Sequence, residues 1–347
     1  MKDVRFLLAG AALLLTTSCH HDGDTAVPFL WQQQPTPQPL ADVQALPFAS
    51  SQAGWVMGGY YAAPTSNSWQ HFLLRTTDGG TTWTSINLAP SHTVRGLRSL
   101  APVTAQLLYG TADDLALSLV QGAQSRFVYQ SQDGGQSWQR LPSTGYSDGT
   151  VTFPTAQVGL SPYSARIVRT ADGGATWQPV WTGTQGTDWV NQVVFPTATI
   201  GFAAGGCLLK TTDQGQTWQP LPWANGMIRR LYFLNASLGF ALTESGTIPI
   251  IGPGNIATAL YRTQNGGQTW EQLLSSASGP YAFISATEFY RASTRIEHTR
   301  DSGQSWQTEY VLPAGTDPVP DTFADITFPD AGNGYAVSRA GVVVKRQ

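Results

Sequence analysis

The sequence predicts an all-β fold, and three of its features support this prediction. Gly (36 residues) and Pro (22 residues) are abundant, which is typical of a chain with many turns. Charged residues make up 12% of the chain, about half of the roughly 25% that is usual for a soluble domain. Short runs with the character of strands recur between turn residues, as in residues 189–195 (WVNQVVF). At 347 residues the chain exceeds the size of one compact core, so we expect two domains or an array of repeats.

One octapeptide occurs six times and identifies the repeat. Its copies are TTDGGTTW at 76–83, SQDGGQSW at 131–138, TADGGATW at 170–177, TTDQGQTW at 211–218, TQNGGQTW at 263–270 and TRDSGQSW at 299–306. These copies use half of the 12 tryptophans in the chain. They are spaced by about 36 to about 55 residues, which brackets the size of one four-stranded propeller blade. Each copy therefore predicts one blade of a β-propeller.

The residue types of the octapeptide are those of a tight turn. An Asp side chain accepts hydrogen bonds from nearby backbone N–H groups, Gly accepts a positive φ, and Trp buries a large ring between blades. We assign a structural role to the acidic or amide residue and to the Trp of each copy: Asp78 and Trp83, Asp133 and Trp138, Asp172 and Trp177, Asp213 and Trp218, Asn265 and Trp270, Asp301 and Trp306. A calcium loop needs several carboxylates, whereas each copy supplies at most one. We therefore predict no metal site and no cofactor.

The two ends of the chain are predicted to complete a seventh blade together. Residues 322–346 repeat the first three strands of a blade but lack the octapeptide, and residues 29–37 (FLWQQQPTP) resemble the fourth-strand pattern TWQPLP at 217–222. A shared blade would protect the sheet edges and fasten the ring. The prediction is a single seven-bladed β-propeller over residues 29–347, built of four-stranded antiparallel blades, with the last blade closed by the N-terminal strand.

The first residues have the three-part layout of a secretory signal. Lys2 and Arg5 precede an apolar run at 6–15, which is too short to span a bilayer. Cys19 follows small residues and resembles the lipid-modified cysteine of bacterial lipoproteins. We predict a signal peptide at 1–18, lipidation of Cys19 and a tether at 19–28. The protein would then be exported and anchored to the cell-envelope membrane, in the periplasm or on the outer surface. The alternative is an ordinary cleaved signal peptide.

The octapeptides resemble the Asp-box, or BNR, repeats of bacterial sialidases, xyloglucanase-type glycoside hydrolases and sortilin-like receptors. Together with the inner-strand pattern VVFPTATIGFAAGG and the sequence LLKTTDQGQTW, residues 29–347 are most similar to the photosystem II assembly and stability factor family. That resemblance implies a lipid-anchored seven-bladed propeller that binds membrane-protein assembly intermediates without catalysing a reaction. Similar chains occur in bacteria that do not photosynthesise. The resemblance therefore implies a scaffold with a protein partner rather than a photosystem, and we expect a monomer.

A carbohydrate-active enzyme is the alternative function. The early Arg-Ile-Pro motif of sialidases is missing from the sequence. Other glycosidases need two carboxyl groups roughly 5 to 10 Å apart across the substrate. Carboxylates outside the octapeptides, Asp325 among them, are candidates to meet in a central channel. A glycoside hydrolase or a glycan-binding propeller thus stays open beside the non-catalytic scaffold.

Polar residues interrupt the apolar pattern of the innermost strands and are the candidate binding residues: Arg95, Arg98, Gln192, Arg229, Arg230 and Asp325. Adjacent residues of a strand point to opposite sides, so we expect only one of Arg229 and Arg230 to face the channel. The alternative is a hydrated channel without a ligand. Irregular insertions at 62–68, 113–125 and 245–258 favour a binding face opposite the octapeptides. The net charge of −3 offers no basic face for nucleic acid.

Overall fold

The structure, a computed structural model, describes residues 30–37, 40, 42–61, 69–86, 88, 97–113, 126–142, 150–245, 257–313 and 321–346. These ranges form 27 strands joined by turns. None of them contains a helix of the length and apolarity needed to cross a membrane. The predicted signal peptide, lipidated Cys19, tether, Arg95 and most of the three insertions lie outside the described residues.

The strands form seven antiparallel sheets, numbered here as blades in chain order. Blade one contains β2 (Val43–Ala45), β3 (Gly54–Tyr61), β4 (Trp69–Thr76) and β5 (Thr84–Ile86). Blade two contains β6 (Leu97–Pro102), β7 (Leu108–Asp113), β8 (Arg126–Ser131) and β9 (Gln139–Arg140). Blade three contains β10 (Gly159–Tyr163), β11 (Arg166–Thr170) and β12 (Gln178–Thr182). In blade three the innermost position holds a single bridge between Thr152 and Leu160 instead of a full strand.

Blades four to six each have four strands in chain order. Blade four contains β13 (Val190–Val194), β14 (Gly201–Gly205), β15 (Leu208–Thr211) and β16 (Gln219–Pro220). Blade five contains β17 (Met227–Phe233), β18 (Gly239–Ser245), β19 (Ala257–Thr263) and β20 (Glu271–Leu274). Blade six contains β21 (Tyr281–Phe283), β22 (Phe289–Ala292), β23 (Arg295–Thr299) and β24 (Gln307–Val311). The fold is a seven-bladed β-propeller, which confirms the predicted architecture.

Blade seven is built from both ends of the chain. It contains β25 (Phe323–Asp330), β26 (Asn333–Ser338) and β27 (Val343–Arg346), and its outermost strand is β1 (Trp31–Gln34). β1 pairs antiparallel with β27, from Trp31 opposite Arg346 to Gln34 opposite Val343. The predicted closure of the last blade by the N-terminal strand is confirmed.

The hydrophobic core of the described residues is divided among the contacts between blades. It forms seven clusters, and each lies at one seam between neighbouring blades. Five seams also carry a stacked aromatic pair, in which a Phe near the end of an innermost strand lies against the second strand of the preceding blade: Phe48–Tyr335, Phe153–Tyr109, Phe233–Phe202, Phe283–Phe240 and Phe328–Tyr290. Burial of these faces is what joins the blades into a ring.

Each octapeptide folds into the same hydrogen-bonded turn between the third and fourth strands. In the third copy, Gly174 N–H donates to Thr170 Oγ1 at 2.8 Å, and Thr176 N–H donates to Asp172 Oδ1 at 2.9 Å. Asp172 also accepts hydrogen bonds from the hydroxyls of Thr176 at 2.6 Å and Thr170 at 2.7 Å. The bonds from the Thr176 hydroxyl, the Thr176 N–H and the Thr170 hydroxyl lower the pKa of Asp172 to about 2. Asn265 closes the fifth turn in the same way, except that its Nδ2 donates to Thr269 Oγ1 at 2.8 Å.

In several blades, a positively charged side chain just before the turn donates a hydrogen bond to the next blade. Arg75 Nη2 donates to Ala105 O at 2.8 Å, and Arg262 Nη1 donates to Ala286 O at 2.6 Å. The same position in blade seven is Lys345, whose Nζ donates to Gly79 O at 2.7 Å. These side chains therefore satisfy backbone carbonyls across the seams.

Candidate binding site in the central channel

The innermost strands share an irregularity that positions polar side chains in the channel. Their pairing with the second strand shifts by one residue in five blades. Such a β-bulge leaves one residue unpaired and redirects the side chains around it. Arg98 and Arg229 are bulge residues, and Gln192, Arg230 and Asp325 each directly follow a bulge. All five described candidate residues thus lie at, or directly after, the bulge of their innermost strand.

The bulge changes the expected orientation of the two adjacent arginines. Alternation along β17 predicted that only one of Arg229 and Arg230 would face the channel, but both are exposed and both line the same cavity. The register shift between Ile228 and Arg230 interrupts the alternation at this point. The channel therefore receives two guanidinium groups from one strand.

The channel contains two cavities among the described residues. One, of about 620 Å³, is lined by residues of blades one to five and seven, including Arg229 and Arg230. The other, of about 420 Å³, is mainly apolar and aromatic and is lined by blades one and four to seven, with Phe195, Phe233 and Asp325 in its wall. A cationic region and an aromatic region thus lie side by side in the channel.

Arg229 and Arg230 have different surroundings. Arg229 Nε lies 2.7 Å from Glu244 Oε2, and this ion pair is partly exposed. The positive charge of Arg230 favours the ionised forms of Tyr232 and Asp325. Burial raises the pKa of Tyr232 to about 12, although the charge of Arg230 opposes the change. Tyr232 therefore stays neutral near pH 7 and offers a hydroxyl rather than a charge.

Gln192 and Asp325 bind the backbone of the neighbouring blade. Gln192 Oε1 accepts a 2.7 Å hydrogen bond from Leu231 N–H, and Gln192 Nε2 donates to Leu231 O at 3.2 Å. Asp325 Oδ2 accepts from Leu46 N–H at 2.9 Å, and its Oδ1 accepts from Ile326 N–H at 2.9 Å. Burial raises the pKa of Asp325 despite these bonds and the charge of Arg230. Both side chains are therefore used to join blades, which leaves the arginines as the groups best placed for a ligand.

Arg98 is exposed on β6 at the bulge of blade two.

Within the described residues, no group of three or more His, Cys, Asp or Glu side chains has a spacing suited to a metal ion. The sequence did not predict a cluster of His298, Glu309 and Arg346 at the seam between blades six and seven, in which His298 and Glu309 are buried. A comparison of the repeats by position would have revealed it, because His298 stands where three other blades have Arg, two have Lys and one has Gln.

Comparison with known proteins places the fold among several propellers. No protein-family model and no curated protein matches the chain. The structure of YCF48 bound to D1 peptide has 20% identity and a TM-score of 0.60, and the match covers 92% of this chain and 99% of that one. YCF48 from Cyanidioschyzon merolae has 16% identity, a TM-score of 0.61 and coverage of 91% and 98%. The GH74 xyloglucanase from Xanthomonas campestris has 15% identity, a TM-score of 0.64 and coverage of 92% and 54%.

These similarities establish the propeller fold. The chain spans nearly the full length of the two YCF48 structures but about half of the xyloglucanase. It therefore corresponds in size to a single propeller.

Proposed function

We propose that this protein is a non-catalytic propeller that binds a peptide segment of a partner protein in its central channel and so acts as an assembly scaffold. The observation that carries the proposal is the pair of exposed arginines in the 620 Å³ cavity. Arg229 is paired with Glu244, whereas Arg230 forms no ion pair with the described residues, so its guanidinium is available to an anionic group of a peptide even though Asp325 lies within range of its charge. One of the similar structures is of YCF48 bound to D1 peptide, which supports a peptide as the kind of ligand.

The size and the lining of the channel suit an extended peptide better than a globular surface. The cationic cavity adjoins an aromatic cavity of about 420 Å³, and Gln192 and Thr327 line both. A chain that passes from one to the other would place an acidic group beside Arg230 and an apolar side chain beside Phe233. Charge would then fix the direction of the peptide, and apolar burial would supply much of the affinity.

A peptide array tests this proposal with defined probes. Each peptide is presented in a form with free carboxylates and in a form with amides in their place. We expect the wild type to prefer the carboxylate forms, and Arg230→Gln to weaken their binding about tenfold, the equivalent of a lost charge-assisted hydrogen bond. Arg166→Gln, an exposed arginine on β11, is the matched control. Equal binding of both peptide forms, or an unchanged affinity in Arg230→Gln, would overturn the proposal.

Export and lipid anchoring are part of the proposed function and are supported by the sequence alone. Lys2, Arg5, the apolar run and Cys19 form the pattern of a lipoprotein signal. Metabolic labelling with a fatty acid in the native host should mark the wild type and leave Cys19→Ser unmarked. Equal labelling of the two proteins, or no labelling of either, would contradict lipidation at this residue.

A glycoside hydrolase is the second candidate, favoured by the similarity to GH74 propellers. Of the described residues that line the two cavities, Asp325 alone carries a carboxylate, and both of its oxygens accept backbone hydrogen bonds. The partner carboxylate that a glycosidase needs would have to come from another part of the chain. Turnover of xyloglucan or a sialoside that Asp325→Ala abolishes would favour this candidate.

A further inference from the structure

The seam between blades six and seven differs chemically from four other seams of the ring. At these four seams, the second Gly position of an octapeptide turn lies near an aliphatic side chain of the preceding blade. That side chain belongs to the outermost strand or to the residue directly after it. The four contacts are Ile86 near Gly135, Leu141 near Gly174, Leu221 near Gly267 and Leu274 near Gly303. Blade seven has no octapeptide, and at its seam with blade six the outer strand β24 contributes Glu309, whose residue is 2% exposed. A buried carboxylate thus lies at the seam where the two chain ends meet.

A second position differs at the same seam. Arg75, Arg169 and Arg262 precede their octapeptides and bond to the turn region of the next blade. In blade six this position is His298, which is also 2% exposed. Its Nδ1 lies 2.9 Å from Glu309 Oε1, and its Nε2 lies 2.9 Å from Glu288 Oε1. The Glu309 and His298 positions therefore both differ from the repeat at the seam that contains Trp31 of the N-terminal strand β1.

Glu309 connects His298 to both ends of the chain. Its Oε2 accepts a 2.9 Å hydrogen bond from Trp31 Nε1 and lies 3.4 Å from Arg346 Nε. Burial opposes ionisation of Glu309, but the bonds from His298 and Trp31 and the charge of Arg346 outweigh it and lower its pKa. Glu309 is therefore a carboxylate at neutral pH, and it holds Trp31 on β1 and Arg346 on β27 together.

Trp31 provides the buried side-chain attachment of β1 to the ring, beside the backbone pairing of β1 with β27. β1 has four residues, and Trp31 is the only one that is buried, with 1% exposure. Its indole packs edge-on against Tyr290 at 6.1 Å between ring centroids, and Tyr290 stacks on His298 at 4.2 Å. A change at His298 is therefore transmitted to Trp31 through both Glu309 and Tyr290.

The number of ring protons decides whether His298 satisfies both carboxylates. An imidazolium donates from both nitrogens, whereas a neutral ring has one N–H and one lone pair. Either neutral tautomer would direct a lone pair at a carboxylate oxygen 2.9 Å away. The charged and titratable groups around the ring are Glu288, Glu309, Arg300 near Glu288, and Arg346, with Trp31 and Tyr290 as neutral neighbours.

We propose that this cluster is a proton-dependent clasp for the N-terminal strand, closed while His298 carries a proton on both ring nitrogens and loosened when one is lost. The predicted tether at 19–28 precedes β1 in the sequence. The clasp would then set how firmly the ring is joined to its anchor, and a more acidic surrounding would strengthen that joint.

Hydrogen exchange measured on the whole chain tests the clasp. The readout is the protection factor of residues 31–34 divided by that of β14 in blade four, which corrects for global changes. We expect this ratio to fall about tenfold between about pH 5 and about pH 8, the equivalent of one charge-assisted hydrogen bond. A ratio that does not change with pH would overturn the proposal.

A conservative variant separates the clasp from any other effect of pH. The Glu288 side chain is 34% exposed, so Glu288→Gln should fold, and its amide can donate to the lone pair of a neutral His298. This variant should remove the pH dependence of the ratio. Glu271→Gln, at an exposed carboxylate of blade five, should retain it. If Glu288→Gln kept the pH dependence, or if Glu271→Gln removed it, the assignment to His298 would be wrong.

Discussion

Trp31 Nε1 donates a 2.9 Å hydrogen bond to Glu309 Oε2 across the seam where the chain ends meet blade six. Four tryptophans of the octapeptides donate instead to a backbone carbonyl of their own turn: Trp138, Trp177, Trp270 and Trp306. Trp31 occupies the corresponding place in blade seven, which has no such turn. Glu309 therefore replaces a missing carbonyl with a charged acceptor.

Replacing Trp31 by Phe should test the strength of that contact. The variant keeps an aromatic ring but leaves buried Glu309 with one donor fewer, so we expect a loss of about 1.5–3 kcal/mol in the free energy of unfolding. Trp177→Phe is the control, because it removes a bond to the neutral Gly174 carbonyl and should cost about 0.5–1.5 kcal/mol. Urea unfolding measures both. Equal losses would show that the charge of Glu309 adds nothing.

The sequence was sufficient to predict the blades and their closure. The octapeptides recur at the spacing of a blade, and Trp31 preserves the fourth-strand pattern even though the rest of the octapeptide is absent. Both signals are local, so they survive in a single chain. The stacking of Phe153 on Tyr109 was not predicted, because it joins residues of different blades.

The candidate site was only partly predictable. The polar residues of the inner strands were found because they interrupt an apolar pattern, but the orientation of Arg229 and Arg230 depends on a bulge. A bulge is set by the pairing of two strands and has no sharp signal in one of them. His298 and Glu309 are visible as departures from the repeat, yet only the ring geometry brings both of them to Trp31.

Phe153 should stabilise the seam between blades two and three through its stacked contact. Its ring lies 3.5 Å from that of Tyr109 at an interplanar angle of 3°. Phe153→Leu should cost about 2 kcal/mol, from lost packing and the lost aromatic pair. Phe195 has the same position in blade four but contacts Trp218 only edge-on, so Phe195→Leu should cost about 1 kcal/mol. Thermal or urea unfolding would reveal whether the order is reversed.

The lowered pKa of Asp172 predicts a specific loss of stability in acid. Its folded pKa of about 2 lies below the ordinary value of 3.8, so its contribution is complete above the ordinary value and is lost as the pH falls toward 2. The group is exposed, and solvent screening limits the effect to about 0.5 kcal/mol. Asp172→Asn should fold as Asn265 does and lack this component. Unfolding free energies at about pH 5 and about pH 2.5 would test it, and equal losses in both proteins would contradict it.

Gln214 adopts a backbone conformation that suits glycine. Its φ is +63°, and four other octapeptides have Gly at this position: Gly79, Gly134, Gly173 and Gly266. Gln214→Gly removes the steric cost of a positive φ and keeps the backbone bond from residue 214 to Thr199 O, so it should stabilise the protein by about 0.5–1 kcal/mol. Gln216→Gly, two residues on and without a positive φ, should be neutral or destabilising. Urea midpoints distinguish the two variants, and a gain in Gln216→Gly equal to that in Gln214→Gly would show that the backbone conformation is not the cause.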